Sequence, residues 1–139
     1  MKTVADIELG ALDAVNAAYR AYGLAPLRAL PAGLVRNAEE CSVQRALRAL
    51  KLGPNVRVLR DRITGIRLED TEMLRTAWGN PGRRSVLARL NPGEVALPPR
   101  LRRFVRCFDW EHMLHLKLED IMEAETCVEE PVQKILQPV

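Results

Sequence analysis

The hydrophobic rhythm of the chain changes at Gly53-Pro54, and that change limits what it can fold into. Before it, Val43, Ala46, Leu47 and Leu50 recur every three or four positions, the narrow apolar stripe of a helix that needs a partner surface. After it, Val56 and Val58 alternate with Arg57, and Ile66 and Leu68 flank Arg67, which is the two-residue period of half-buried strands. Helix and strand signals in one short chain place it in the α+β class. Ser42 is the expected N-cap of the 42–51 helix, because its hydroxyl can accept from the first free amides. Cys41 then falls just outside the cap, and Gln44, Arg48 and Lys51 lie on the side away from the stripe.

The remaining elements follow from similar signals. Thr3 and Asp6 have capping-box spacing, and Val4, Ile7, Ala11, Val15, Ala18 and Tyr22 share one stripe before Gly23 and Pro26. This predicts a first helix over 4–22. Leu24–Arg36, with Pro26, Pro31 and Gly33, reads as a connecting loop. Glu69-Asp70-Thr71 opens a short helix that runs through Met73, Leu74 and Trp78 to Gly79. Ser85–Leu90 and Glu94–Leu97 are short strand candidates around Asn91-Pro92-Gly93. Pro98-Pro99 presets a helix start, since a first-turn amide has no partner to lose. Leu101, Phe104, Val105 and Phe108 form that helix's apolar stripe. From Trp110 onward Met113, Leu114, Leu118, Ile121 and Met122 suggest a further helix, so 110–139 reads as an acidic helical extension interrupted at Pro131.

The expected architecture is one α+β domain over 1–139, a small antiparallel or mixed sheet from Val56–Leu97 packed by four to five short helices. At 139 residues the chain is long enough to bury its own core. No apolar run approaches the roughly 20 residues that span a bilayer, so no membrane partner is expected. Met1–Gly10 carries Asp6 and Glu8 where a secretory leader would be basic and then apolar. Three scattered cysteines, Cys41, Cys107 and Cys127, do not suggest a disulfide framework. Both observations point to the cytoplasm.

The net charge of +3 conceals an uneven layout. Residues 20–106 hold 18 cations against seven acids, whereas residues 107–139 hold eight acids against Lys117 and Lys134. Arginine outnumbers lysine 17 to 4, as the codon bias of a GC-rich genome alone would produce. The sharpest electrostatic feature is the helix bearing Arg100, Arg102, Arg103 and Arg106; Arg48 and Lys51 extend the list of candidate surface cations. Four guanidinium groups on two helical turns suit phosphate binding. They equally suit pairing with the acids of Asp109–Glu130.

Several landmarks carry a resemblance: Leu30-Pro31, Cys41-x-x-x-Arg45-Ala46-Leu47, Leu68-Glu69-Asp70, Ala77-Trp78-Gly79, Leu97-Pro98 and Phe104-Val105-Arg106-Cys107-Phe108-Asp109. In this order, across about 30–109, the chain resembles a group of small uncharacterised proteins from actinobacteria and their phages. Ser42 stands where those proteins have proline, and Trp110-Glu111 where they have a small Ala-Gly pair. The resemblance implies a small α+β domain in a bacterial or phage cytoplasm, with a role in host or prophage physiology. It implies no activity.

Reaction motifs are missing from the sequence. It contains no glycine-rich phosphate loop and no Gly-x-Ser-x-Gly turn. Cys107, His112, His115 and Cys127 have ligand chemistry, but lack the paired-cysteine knuckles of structural zinc sites. Cys41 near a helix N-terminus is a candidate nucleophile, opposed by Glu39 and Glu40, which raise a thiol pKa. Gln44–Ile63 fits a helix-turn-helix poorly, because Val56-Arg57-Val58 reads as a strand. Two residues each of Phe, Tyr and Trp give no stacking platform for single strands. The sequence therefore points to a non-enzymatic binding protein without metal or cofactor. Its expected partner is a protein, because arginine is enriched at interfaces. DNA or RNA binding is the alternative, a cysteine- or metal-dependent enzyme the lower one, and a homodimer is left open.

Overall fold

Thr3 opens the first helix as its composition requires. Its hydroxyl accepts the Asp6 amide at 3.1 Å while the Asp6 carboxylate accepts the Thr3 amide at 3.2 Å, the reciprocal capping box. In the computed structural model, which describes residues 3–79 and 90–118, this helix is α1, Val4–Ala21. It ends at Tyr22, followed by Gly23 at a φ of 72°, the left-handed conformation that glycine adopts without a Cβ clash. Helix α2 (Ser42–Leu47) runs on into a 3-10 turn at Arg48–Leu50. Strands β1 (Arg57–Val58), β2 (Arg62–Thr64) and β3 (Val95–Ala96), with helices α3 (Leu68–Trp78) and α4 (Pro99–Asp109), complete the regular elements among the described residues, apart from a 3-10 turn at Leu114–Leu116.

The sheet is antiparallel throughout, in the order β1-β2-β3. Val58 pairs with Ile63 and Ile63 with Val95, so three buried β-branched side chains form one row across it. The four helices and three strands among the described residues all contribute to a single apolar cluster, which makes this one α+β domain. α1 packs along α4 and α3 and gives Ala11, Val15 and Ala18 to that cluster; alanines let the helix axes approach closely. Polar clamps set its position. The Tyr19 hydroxyl donates to the Ala46 carbonyl at 2.6 Å, the Tyr22 hydroxyl to Asp70 Oδ1 at 2.6 Å, and the Trp78 indole N–H to the Ala14 carbonyl at 2.8 Å. Each anchors α1 to another helix. No helix among the described residues is long and apolar enough to cross a membrane.

Four local expectations need correction. The N-cap of α2 is Cys41, whose Sγ accepts the Gln44 amide at 3.5 Å; Ser42 is the first helical residue and is buried, its hydroxyl donating to the Pro31 carbonyl at 2.7 Å. Gln44 faces inward, not outward, donating to the Val56 carbonyl at 3.3 Å. Ile66–Leu68 is not a strand: pairing stops at Thr64, Gly65 turns the chain at a φ of 77°, and Leu68 begins α3 with its side chain exposed. The further helix expected from Trp110 does not form over 110–118, which holds only the 3-10 turn at Leu114–Leu116. Trp110 caps α4, Glu111 adopts a φ of 64°, and Lys117 forms a parallel bridge with Gly33. Ser85–Arg89 and the remainder of the extension, 119–139, lie outside the described residues.

Candidate arginine groove

Helix α4 sorts its arginines by periodicity. Leu101, Phe104, Val105 and Phe108 are buried, with the Phe104 and Phe108 rings stacked at 5.8 Å, so the cations between them occupy the remaining faces. Arg100 lies on the α1 side. Its methylenes cover Gly10, and its guanidinium reaches Asp13 at 3.5 Å. Arg102, Arg103 and Arg106 turn the other way and line an open groove of about 930 Å³. The expected four-arginine face is therefore divided between two surfaces.

Two further arginines reach this groove from distant segments. Arg60 sits in the hairpin turn between β1 and β2, and the Leu97 amide donates to the Asp61 carbonyl at 2.9 Å, fixing that turn beside the start of α4. Arg36, at a φ of 52°, is held against the end of α4: its amide donates to Asp109 Oδ1 at 2.9 Å, and its guanidinium donates to the Asp109 carbonyl at 3.0 Å. Trp110 stands at the groove's edge with 67% of its surface exposed. Neither Arg36 nor Arg60 falls in a periodic pattern, so the sequence reading missed both. The only signal was their placement at chain turns.

The acids nearby are already engaged. Asp61 is bonded to Arg62 at 3.0 Å, and that hydrogen bond holds its carboxyl below the usual range, with a smaller contribution from the Arg102 charge. Glu111 pairs with Lys117 at 2.8 Å and with Arg36 at 3.5 Å; the Lys117 hydrogen bond is the main cause of its lowered pKa. Arg60, Arg102, Arg103 and Arg106 have no carboxylate oxygen within 4.0 Å among the described residues. Pairing with Asp109 or Glu111 thus does not neutralise the α4 arginines. The acids from Glu119 to Glu130 lie outside the described residues.

A smaller hollow of about 270 Å³ adjoins the groove, with Arg36, Arg60 and Asp109 common to both. The buried Val58, Val105 and Cys41 line it together with Leu59 and Ala38. Burial pushes the Cys41 thiol up to about 11, so at neutral pH it is a protonated, poor nucleophile. Its native labelling by a thiol reagent at pH 7 should be about a hundredfold slower than in denaturant, from thiolate population alone. Peptide mapping of the labelled cysteines measures this; equal native and denatured rates would contradict the buried cap.

The other candidate positions do not converge here. Arg48 pairs with Glu40 at 2.8 Å, and Lys51 terminates the 3-10 turn with a φ of 53°; neither lines the groove. Cys107 is half-buried, His112 is exposed, and His115 pairs with Glu8 at 2.7 Å. Among the described residues no group of three or more His, Cys, Asp or Glu side chains could hold a metal ion, and Cys127 lies outside them. β1 occupies the place where a helix-turn-helix would need its recognition helix. Compared with known protein families, curated proteins and solved structures, the chain matches none.

Proposed function

We propose that this chain is a non-enzymatic binding protein that docks another protein in the arginine groove. The observation that carries the reading is the gathering of Arg60, Arg102, Arg103 and Arg106, without carboxylate partners among the described residues, beside the exposed Trp110. Arginine and tryptophan are the residues that most often dominate binding energy at protein interfaces. Asp61 and Asp109 interrupt the row of cations along the groove, a mixed lining that suits a protein surface bearing both polar and charged groups better than a continuous phosphate track. The buried, protonated Cys41 weighs against cysteine-dependent catalysis. The resemblance to actinobacterial and phage proteins supports a cytoplasmic setting and a regulatory role, and self-association through the same groove is the alternative assembly.

Salt dependence separates protein from nucleic acid. Duplex DNA affinity should be weak at physiological salt and nearly unchanged when Arg102, Arg103 and Arg106 are all replaced by Ala. If these residues neutralise phosphates, the log–log salt plot should instead flatten by up to about three units in the triple variant, at about 0.9 per phosphate. Tight duplex binding that vanishes in that variant would overturn the protein reading.

A further inference from the structure

Leu118, the last of the described residues, is fixed near the arginine groove. Its amide donates to the Gly33 carbonyl at 2.8 Å, and Gly33 lies three residues before Arg36, which lines the groove. Ion pairs trace the same route: Lys117 Nζ meets one oxygen of Glu111 at 2.8 Å, and the other oxygen meets Arg36 at 3.5 Å. Three residues span at most about 11 Å, so the chain after Leu118 starts close to Arg36. Residues 119–130 then carry Glu119, Asp120, Glu123, Glu125, Glu129 and Glu130 and no lysine or arginine. Twelve residues reach up to about 40 Å when extended, whereas α4 rises only about 10 Å between Arg102 and Asp109. Counter-charge, tether and reach all meet at one place.

We infer that the acids of 119–130 occupy the arginine groove of their own chain, opposite Arg60, Arg102, Arg103 and Arg106, and that a partner binds by displacing them. This rests on the protein-binding reading above and adds its regulation. Five arginines against two aspartates line the groove, so it holds an excess of positive charge. Asp61 is bonded to Arg62 at 3.0 Å and Asp109 accepts the Arg36 amide, whereas the other four arginines have no carboxylate oxygen within 4.0 Å among the described residues. The tether favours this segment over a free competitor, because a short flexible link holds its ligand at an effective concentration of about millimolar. A partner that enters must therefore present carboxylates that bind more tightly than the tethered ones.

The test compares the full chain with an amide variant carrying Glu119→Gln, Asp120→Asn, Glu123→Gln, Glu125→Gln, Glu129→Gln and Glu130→Gln. A tethered ligand at about 1 mM with its own Kd near 0.1 mM fills the groove about ten to one. Modification by an arginine-specific dicarbonyl reagent, mapped by mass spectrometry, should then be about tenfold slower at Arg102, Arg103 and Arg106 in the wild type than in the amide variant. The exposed Arg20 and Arg28, outside the groove, should react alike in both. In the unaltered chain, salt at about 1 M should remove the protection, since screening weakens exposed ion pairs. A labelled glutamate peptide, followed by fluorescence anisotropy, should bind the amide variant about tenfold more tightly than the wild type. Adding Arg102→Ala, Arg103→Ala and Arg106→Ala should abolish that gain. Equal modification rates and equal peptide affinity in the two chains, or a gain that survives the arginine changes, would overturn the inference while leaving the groove as a protein site. Protection that grows with protein concentration, alongside dimers in sedimentation, would assign the acids to a second copy's groove and overturn it too. Failure of the peptide to bind even the amide variant, or its displacement there by equimolar duplex DNA, would overturn the underlying reading and the inference with it.

Discussion

Replacing Phe104 by Ala is expected to lower the unfolding free energy by about 3–5 kcal/mol. Phe104 is fully buried on α4, stacked on Phe108 and part of the cluster that joins both ends of the described chain. Removing the ring forfeits its transfer from water and leaves a void that helices fixed by hydrogen bonds cannot close. Domains of this kind are stable by only about 5–15 kcal/mol, so the variant should be marginal. Urea denaturation followed by helix signal gives the difference. An unchanged midpoint would mean that the ring does not fill the core. Phe104→Leu, which retains much of the apolar volume, should lose distinctly less.

Gly65→Ala should cost about 2–4 kcal/mol for a different reason. A Cβ at Gly65 would stand 2.1 Å from the Asn55 carbonyl oxygen and 2.7 Å from its carbon, backbone atoms that no rotamer change can move aside. Its φ of 77° adds the left-handed penalty of any L side chain, about 1–2 kcal/mol. Gly23 provides the internal control, with a φ of 72° and open space, nothing within 4 Å, where a methyl group would stand. Gly23→Ala should therefore cost only the conformational part. If thermal or urea unfolding shows equal losses for the two variants, the close approach of Gly65 to Asn55 is wrong.

That same glycine shows where sequence reasoning stopped. The alternation of Ile66 and Leu68 around Arg67 has a strand's period, but period does not report that residue 65 must pass in contact with the backbone at Asn55. That contact ends the pairing at Thr64 and frees Leu68 to start α3. The signals that were legible are those in which one short stretch satisfies itself: the Thr3–Asp6 box, Gly23 after α1, and Pro98-Pro99 before α4. The α2 cap was misplaced by one residue because the Ser42 hydroxyl is drawn instead to the Pro31 carbonyl, a contact set by the loop that folds back over it. The candidate site was half legible. Arg102, Arg103 and Arg106 announce themselves by clustering, whereas Arg36 and Arg60 join them only through tertiary folding, and Arg100 leaves them because α1 lies on its side of the helix.

The packing of α1 on α4 also bears on how the chain is made. Ala11, Val15 and Ala18 leave the ribosome well before their partner helix, which starts only at Pro99. At about 5–20 residues per second, α1 waits several seconds or longer for the surface that covers it. Through that interval α3 can cover one side of its apolar stripe, and the side that α4 will cover is left to transient partners. Emergence of α4, rather than formation of α1, is then the event that commits the nascent protein to its fold.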